Sequence, residues 1–236
     1  MKKKRVMIVV AVVFAILVVI GALIGYFVSR DVKQEQILRN EINVLNKLDI
    51  KKDSYDTKIK TTGDYAVVEK TIKEYLNDYA TNLQDVLAIL QDEKLSSVLS
   101  AENYKNDGPD FVSTKEYLET TKKDFNEKLT KLTNMTDNKV IMKKIKNKNL
   151  NSYYVDLYEE LMLRGIARED LQESKTDLKK AGETINNLLE VEQNVINLLV
   201  ENKDKWSVEN DTIVFKDTDT LNKYNELIKN YTSREN

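Results

Sequence analysis

Val6 to Val28 is an unbroken run of 23 uncharged residues, and no other feature restricts the fold of this chain so sharply. At 1.5 Å per residue a helix over this run would be roughly 34 Å long, enough to cross a hydrocarbon core of about 30 Å. A buried soluble helix would show one polar face, and this segment is apolar all round. Tyr26 and Phe27 stand near its C-terminal end, where aromatic rings favour the membrane interface. A cleaved signal peptide is the rival reading. Its apolar region would be shorter, and Gly25-Tyr26-Phe27-Val28-Ser29 does not resemble a small-residue cleavage site. The run therefore predicts an uncleaved single-pass anchor.

Flanking charge predicts its orientation. Lys2, Lys3, Lys4 and Arg5 precede the run, and Arg30, Lys33 and Arg39 follow it. The denser N-terminal cluster makes residues 2–5 the topogenic signal, with the N-terminus cytoplasmic and the rest extracytoplasmic. Gly21 and Gly25 form a G-x-x-x-G pair, a candidate close contact between two anchors and hence a route to a homodimer.

Beyond residue 30 the question becomes what kind of domain follows. The whole chain of 236 residues holds one proline and six glycines, too little punctuation for an all-β fold and suited to long helices. Cysteine and histidine are both absent, so disulfides, thiolate or imidazole metal ligands, His-based triads and cysteine nucleophiles are excluded. Residues 1–30 contain five cations and no acid; removing those five from the total of 37 leaves 32 cations against 39 acids. A mildly acidic domain is a poor match for nucleic acid.

Periodicity locates the helices. Leu38, Ile42 and Leu45 form a narrow stripe after the anchor, suited to a short coiled coil or a stalk packed on the domain. Polar residues 50–62 read as a linker ending at Gly63, with Asp64 as a helix cap. Val68, Ile72, Tyr75, Tyr79, Leu83, Val86 and Leu90 then step by four and three, predicting a helix from about Tyr65 towards Leu99. Asn106-Asp107-Gly108-Pro109 marks a loop over 103–110, and Ser113-Thr114-Lys115-Glu116 has the pattern of a capping box opening the next helix, which ends near Asn134. A short helix is expected over Val140–Ile145. Ser152 is expected to cap another that kinks or ends at Gly165, and the pattern resumes from Arg168 to about Asn202. Alternating apolar residues around Asn210-Asp211 predict a hairpin over 206–215, anchored by Trp206, before a last helix capped by Thr218 or Asp219.

The expected fold is mainly α: an N-terminal single transmembrane helix followed by an elongated antiparallel helical bundle with a small β-hairpin near the C-terminus. The organisation reads as a basic tail (1–5), an anchor (6–28), a juxtamembrane helix and linker (29–62) and a bundle domain (63–236).

Few residues invite chemistry. Asp217-Thr218-Asp219 begins like a calcium loop, but the later positions that need Gly and Glu hold Asn222 and Ile228, so these acids read as helix caps. Glu159-Glu160 and Glu169-Asp170 are sequence neighbours on helices and do not face one another. Lys139, Lys143, Lys144, Lys146 and Lys148 make the densest basic stretch beyond the anchor, a candidate contact for a polyanion or for anionic headgroups, against the plainer reading of a solvated helix end. Tyr75, Tyr79, Tyr153, Tyr154 and Tyr158 read as core rings more readily than as a binding platform. No phosphate-binding glycine loop is present.

No cofactor, metal site or catalytic group is expected. The expected function is a non-enzymatic, membrane-anchored interaction or scaffold protein of a bacterial cell envelope. The alternatives are a module binding an envelope glycan or polyanion, and a spectrin-like structural protein facing the cytoplasm. The expected partners are the lipid bilayer, an envelope or protein partner and a second copy of the chain.

Overall fold

The structure is a computed structural model and describes residues 29–45, 56–166 and 168–232. The run expected to form the anchor (6–28), the expected topogenic cations Lys2, Lys3, Lys4 and Arg5, and the pair Gly21 and Gly25 lie outside the described residues. Among the described residues no helix is long and apolar enough to cross a membrane.

The described residues are mainly helical, with a two-stranded antiparallel hairpin among them. We label the helices α1 (29–45), α2 (Asp64–Leu90), α3 (Glu93–Ser96), α4 (Ala101–Asp107), α5 (Val112–Met135), α6 (Asn138–Lys146), α7 (Ser152–Glu159), α8 (Arg168–Glu201) and α9 (Thr218–Thr232); β1 is Trp206–Glu209 and β2 is Thr212–Phe215. A π-helical segment, Glu160–Ile166, follows α7 directly and includes Gly165, where the sequence suggested a break. The chain forms two compact units, one of residues up to Leu76 plus Met142–Ile166 and one of Asn77–Ile141 plus the remainder, with the boundaries falling inside α2 and α6.

In the first unit the narrow stripe Leu38, Ile42 and Leu45 is buried, so α1 packs on the domain through it. Val68, Ile72 and Tyr75 of α2, Ile145 of α6, and Leu157 and Tyr158 of α7 are buried with it. Gly63 takes a positive φ of 62° at the start of α2, and its carbonyl accepts from the Ala66 N–H at 3.1 Å. Glycine adopts that backbone without strain, and the helix begins at Asp64 itself rather than after it.

In the second unit α5 and α8 pair antiparallel. Asn126 and Asn186 exchange side-chain hydrogen bonds at 2.9 Å, and Gly182 lies against Leu129 so closely that a Cβ there would fall 2.3 Å from the leucine methyl. The apolar step of α2 remains buried through Val86, but the helix ends at Leu90, short of the expected Leu99. Asp92 then caps the brief α3 by accepting from the Lys94 N–H. The expected loop over 103–110 is helical as far as Asp107, because Tyr104 is drawn into an aromatic core and buries all but 3% of its surface. Its ring meets Phe111 edge-on at 5.7 Å and Trp206 at 6.1 Å, while Phe111 stacks on Trp206 at 5.8 Å. No Cβ fits at Gly108, where it would lie 2.4 Å from the Tyr104 carbonyl oxygen.

The start of α5 is capped from outside the expected box. Asp107 accepts from the backbone N–H groups of Ser113 (3.2 Å) and Thr114 (2.6 Å) across Phe111, whose φ is 50°. Burial alone would raise the Asp107 carboxyl; the Thr114 hydroxyl and these backbone donors outweigh it and hold the group below its ordinary range. The hairpin pairs Trp206 with Phe215 and Glu209 with Thr212, and Asn210 and Asp211 both take positive φ, the signature of a type I′ turn. An isolated hairpin is marginal in water. This one is held by Trp206, whose indole N–H donates to the Leu199 carbonyl at 2.8 Å, and by Phe215 against Tyr224 at 5.0 Å. Asp217, rather than Thr218 or Asp219, caps α9 by accepting from the Thr220 N–H and hydroxyl.

Candidate functional site

The densest polar arrangement lies in the first unit, where α1 and α2 enclose charge. Lys73 on α2 is 2% exposed, and its ammonium donates to Glu41 of α1 (2.7 Å), to Glu69 one turn earlier on α2 (2.9 Å) and to the Lys58 carbonyl (2.6 Å). An ammonium has three protons to give, and all three are engaged, so Lys73 has no lone pair or free donor with which to act on a substrate. The second oxygen of Glu41 accepts from Lys60 at 2.6 Å, and that bond favours the charged ammonium and raises the Lys60 proton affinity.

Glu69 is fully buried and gathers the irregular segment 56–62 onto the helix. It accepts from the Lys60 N–H, from the Thr61 N–H at 2.9 Å and from the Thr61 hydroxyl at 2.7 Å. Desolvation alone would push its proton affinity up. The Thr61 hydroxyl, Lys73 and the backbone donors together outweigh that penalty and hold the carboxyl below its ordinary value. Buried charges survive only when paired and hydrogen-bonded, and here Glu41, Glu69 and Lys73 each have protein partners. The arrangement is a structural latch.

Around it α1 and α7 carry a second polar chain. Tyr65 donates to the Tyr153 hydroxyl at 3.4 Å, Tyr153 donates to Glu35, and Arg39 bridges Glu35 (2.8 Å) to Glu160 at the head of the π-helical segment through bonds of 2.9 and 3.0 Å. The bond from Tyr153 and those from Arg39 hold the Glu35 carboxyl down against the opposing effect of burial. The rings of Tyr65, Tyr153 and Tyr154 are mutually edge-on at centroid separations of 5.0 to 6.5 Å. Beside Tyr65 and Tyr154 opens a cleft of about 350 Å3, lined also by Arg30, Asp31, Gln34 and the Thr62–Asp64 turn. Gln34 is committed there, accepting from the Thr62 N–H at 2.7 Å.

The tyrosines noted in the sequence thus divide. Tyr75, Tyr79 and Tyr158 are core side chains, whereas Tyr153 is 46% exposed. The basic stretch divides as well. Lys143, Lys146 and Lys148 are exposed in the first unit, Lys144 is half-buried with its ammonium 5.7 Å from the Tyr75 ring centre, and Lys139 is exposed in the second unit.

In the second unit Glu192 of α8 is 4% exposed, and its Oε2 has no hydrogen-bond partner among the described residues. Burial pushes its carboxyl up to about 7. Tyr104 and Tyr117 lie within its electrostatic reach. Acid–base chemistry needs convergent groups around a place for a substrate, and a second cleft of about 490 Å3, lined by α8 and α9 residues from Asn194 to Leu227, does not include Glu192. No three acidic side chains among the described residues are grouped to hold a metal ion.

Sequence reasoning passed over Glu41, Glu69, Lys73 and Glu192. A signal existed for three of them. Glu192 occupies the place between Leu189 and Ile196 where the stripe of α8 calls for an apolar residue, and Glu69 and Lys73 stand four apart beside the stripe of α2.

No protein-family model matches the chain, and neither the curated proteins nor the solved structures contain a match to it.

Proposed function

We propose that the chain is a membrane-tethered, non-enzymatic interaction or scaffold protein of a bacterial envelope, anchored by a helix over residues 6–28 and displaying its helical domain on the outer face. The observation that carries this reading is how soon along the chain folded structure follows the apolar run. Residues 29–45 are helical, and Leu38, ten residues beyond Val28, is fully buried in the first unit. A domain that folds so soon after an anchor is held at the membrane surface, where interaction through the displayed helices is its output.

Protease digestion of wall-stripped cells tests the proposal. Trimming to a membrane-protected N-terminal fragment is the expected result. Full protection until lysis would refute it and favour the spectrin-like cytoplasmic reading.

A second reading, retention on an envelope polyanion, is favoured by one observation: Lys143, Lys146 and Lys148 are exposed and form no ion pair with any described residue. Charge reversal at Lys143 and Lys146 would then abolish retention on isolated cell wall, and unchanged retention would eliminate that site.

A further inference from the structure

We infer that the cleft beside Tyr65 and Tyr154 is a site for an aminoalkyl phosphate, specifically the zwitterionic headgroup of a phosphoethanolamine lipid. This inference rests on the membrane-anchor reading above.

The lining presents both signs of charge within one small volume. Arg30 contributes a guanidinium, while Asp31 and Asp64 contribute two carboxylates, and none of the three has an ion-pair partner among the described residues. Charges that share a cleft of about 350 Å3 without pairing are available to a ligand, and that volume suits a small molecule. The two carboxylates lie near the tyrosines: after burial, Asp31 is the next cause that raises the Tyr154 phenol, and Asp64 also contributes. An ammonium there meets two carboxylates and a tyrosine ring, the combination that recognises cations. A guanidinium at the same cleft is suited to a phosphate. Gly63 leaves room for both, because a Cβ built on it meets nothing within 4 Å.

Position selects the lipid. The apolar run ends at Val28, and Arg30 stands two residues beyond it, about 3 Å further along a helix. In the anchored protein that is headgroup depth, where basic side chains meet phosphates. A phosphatidylglycerol headgroup would engage Arg30 but supply no ammonium to Asp31 and Asp64, so the cleft favours phosphatidylethanolamine.

The test uses the full chain in a phosphate-free detergent with equimolar phosphatidylethanolamine and phosphatidylglycerol, with bound lipid counted by native mass spectrometry. The expected result is about tenfold preferential retention of phosphatidylethanolamine. Asp31→Asn with Asp64→Asn removes the preference, and Arg30→Gln weakens both lipids. All three side chains are exposed, so unchanged circular dichroism is expected to certify the fold. Equal retention of the two lipids, or a preference indifferent to the double variant, overturns the proposal. Broadening of the phosphorus resonance of free phosphoethanolamine without any lipid preference overturns the lipid source, and assigns the cleft to a soluble aminoalkyl phosphate. Alkaline carbonate extraction of membranes reads the anchor alone. Release of the chain refutes the anchor, whereas a chain kept in the pellet without lipid preference refutes the headgroup site.

Discussion

Replacing Glu192 by Gln should stabilise the second unit at alkaline pH and leave it nearly unchanged in acid. In the folded chain burial raises this carboxyl from an ordinary 4.5 to about 7. The folded state therefore holds the proton more tightly than the unfolded state does. By linkage its contribution is fully present below about pH 4.5, declines as pH climbs through the interval, and is lost above about 7. At about 1.36 kcal/mol per unit, ionised Glu192 costs about 3 kcal/mol at pH 8. Glutamine keeps the shape and cannot ionise. Its extra amide donor adds an offset common to every pH, so the informative quantity is the pH-dependent part of the difference between variant and parent. The other titrating groups cancel in that difference. Trp206, the single tryptophan, is 7% exposed in the same unit and reports its unfolding. Urea titrations followed by tryptophan fluorescence at pH 4.5, 6 and 8 measure the effect. A variant-minus-parent stability that is the same at pH 4.5 and pH 8 would refute the reasoning, because it would mean that Glu192 is hydrated in the folded state.

Lys73→Met leaves Glu41 and Glu69 buried without their shared cation and should cost about 3–5 kcal/mol in urea denaturation followed by circular dichroism; a loss below about 1 kcal/mol would show that water reaches the cluster. Gly108→Ala drives a Cβ to 2.4 Å from the Tyr104 carbonyl and 2.8 Å from the Trp206 ring. It should cost about 1–3 kcal/mol and shift the tryptophan emission, and an unshifted spectrum would contradict the packing described. Asp211→Gly relieves a residue at φ 58° in the hairpin turn and should raise the urea midpoint by the equivalent of about 0.5–1 kcal/mol. The Lys105 pair lost with it is exposed at both ends and contributes little.

Periodicity carried the sequence reading where one physical rule dominates. The step from Val68 to Val86 marked a buried helix face, and the alternation around Asn210-Asp211 marked a hairpin whose turn residues both take positive φ. It failed where a distant partner overrides local composition. Asn106-Asp107-Gly108-Pro109 looks like a loop, yet burial of Tyr104 against Phe111 and Trp206 favours helix up to Asp107, and the Asp107 side chain then reaches past the turn to cap α5. The polar stretch ending at Thr62 looks like a linker because the carboxylate that organises it, Glu69, lies on the next helix. The cleft escaped notice for the same reason. Arg30 and Asp31, Asp64 and Tyr65, and Tyr154 come from three separate elements, and nothing in their local sequence says that they share a surface.

The latch also constrains how this chain can change over generations. Glu41, Glu69 and Lys73 are buried together, and with Lys60 at their edge the two carboxylates meet two ammonium groups. Replacing Lys73 strands two buried carboxylates, and replacing either glutamate leaves the buried ammonium short of an acceptor, so each one-step neighbour of the present sequence is selected against, while a concerted replacement by apolar residues of similar volume is tolerated. Descent should therefore treat the trio as one character: lineages carry all three residues together or none of them. A distant relative whose overall sequence has drifted beyond comparison is then recognisable by an acid on the stripe of its first helix and an acid and a lysine four apart on its second.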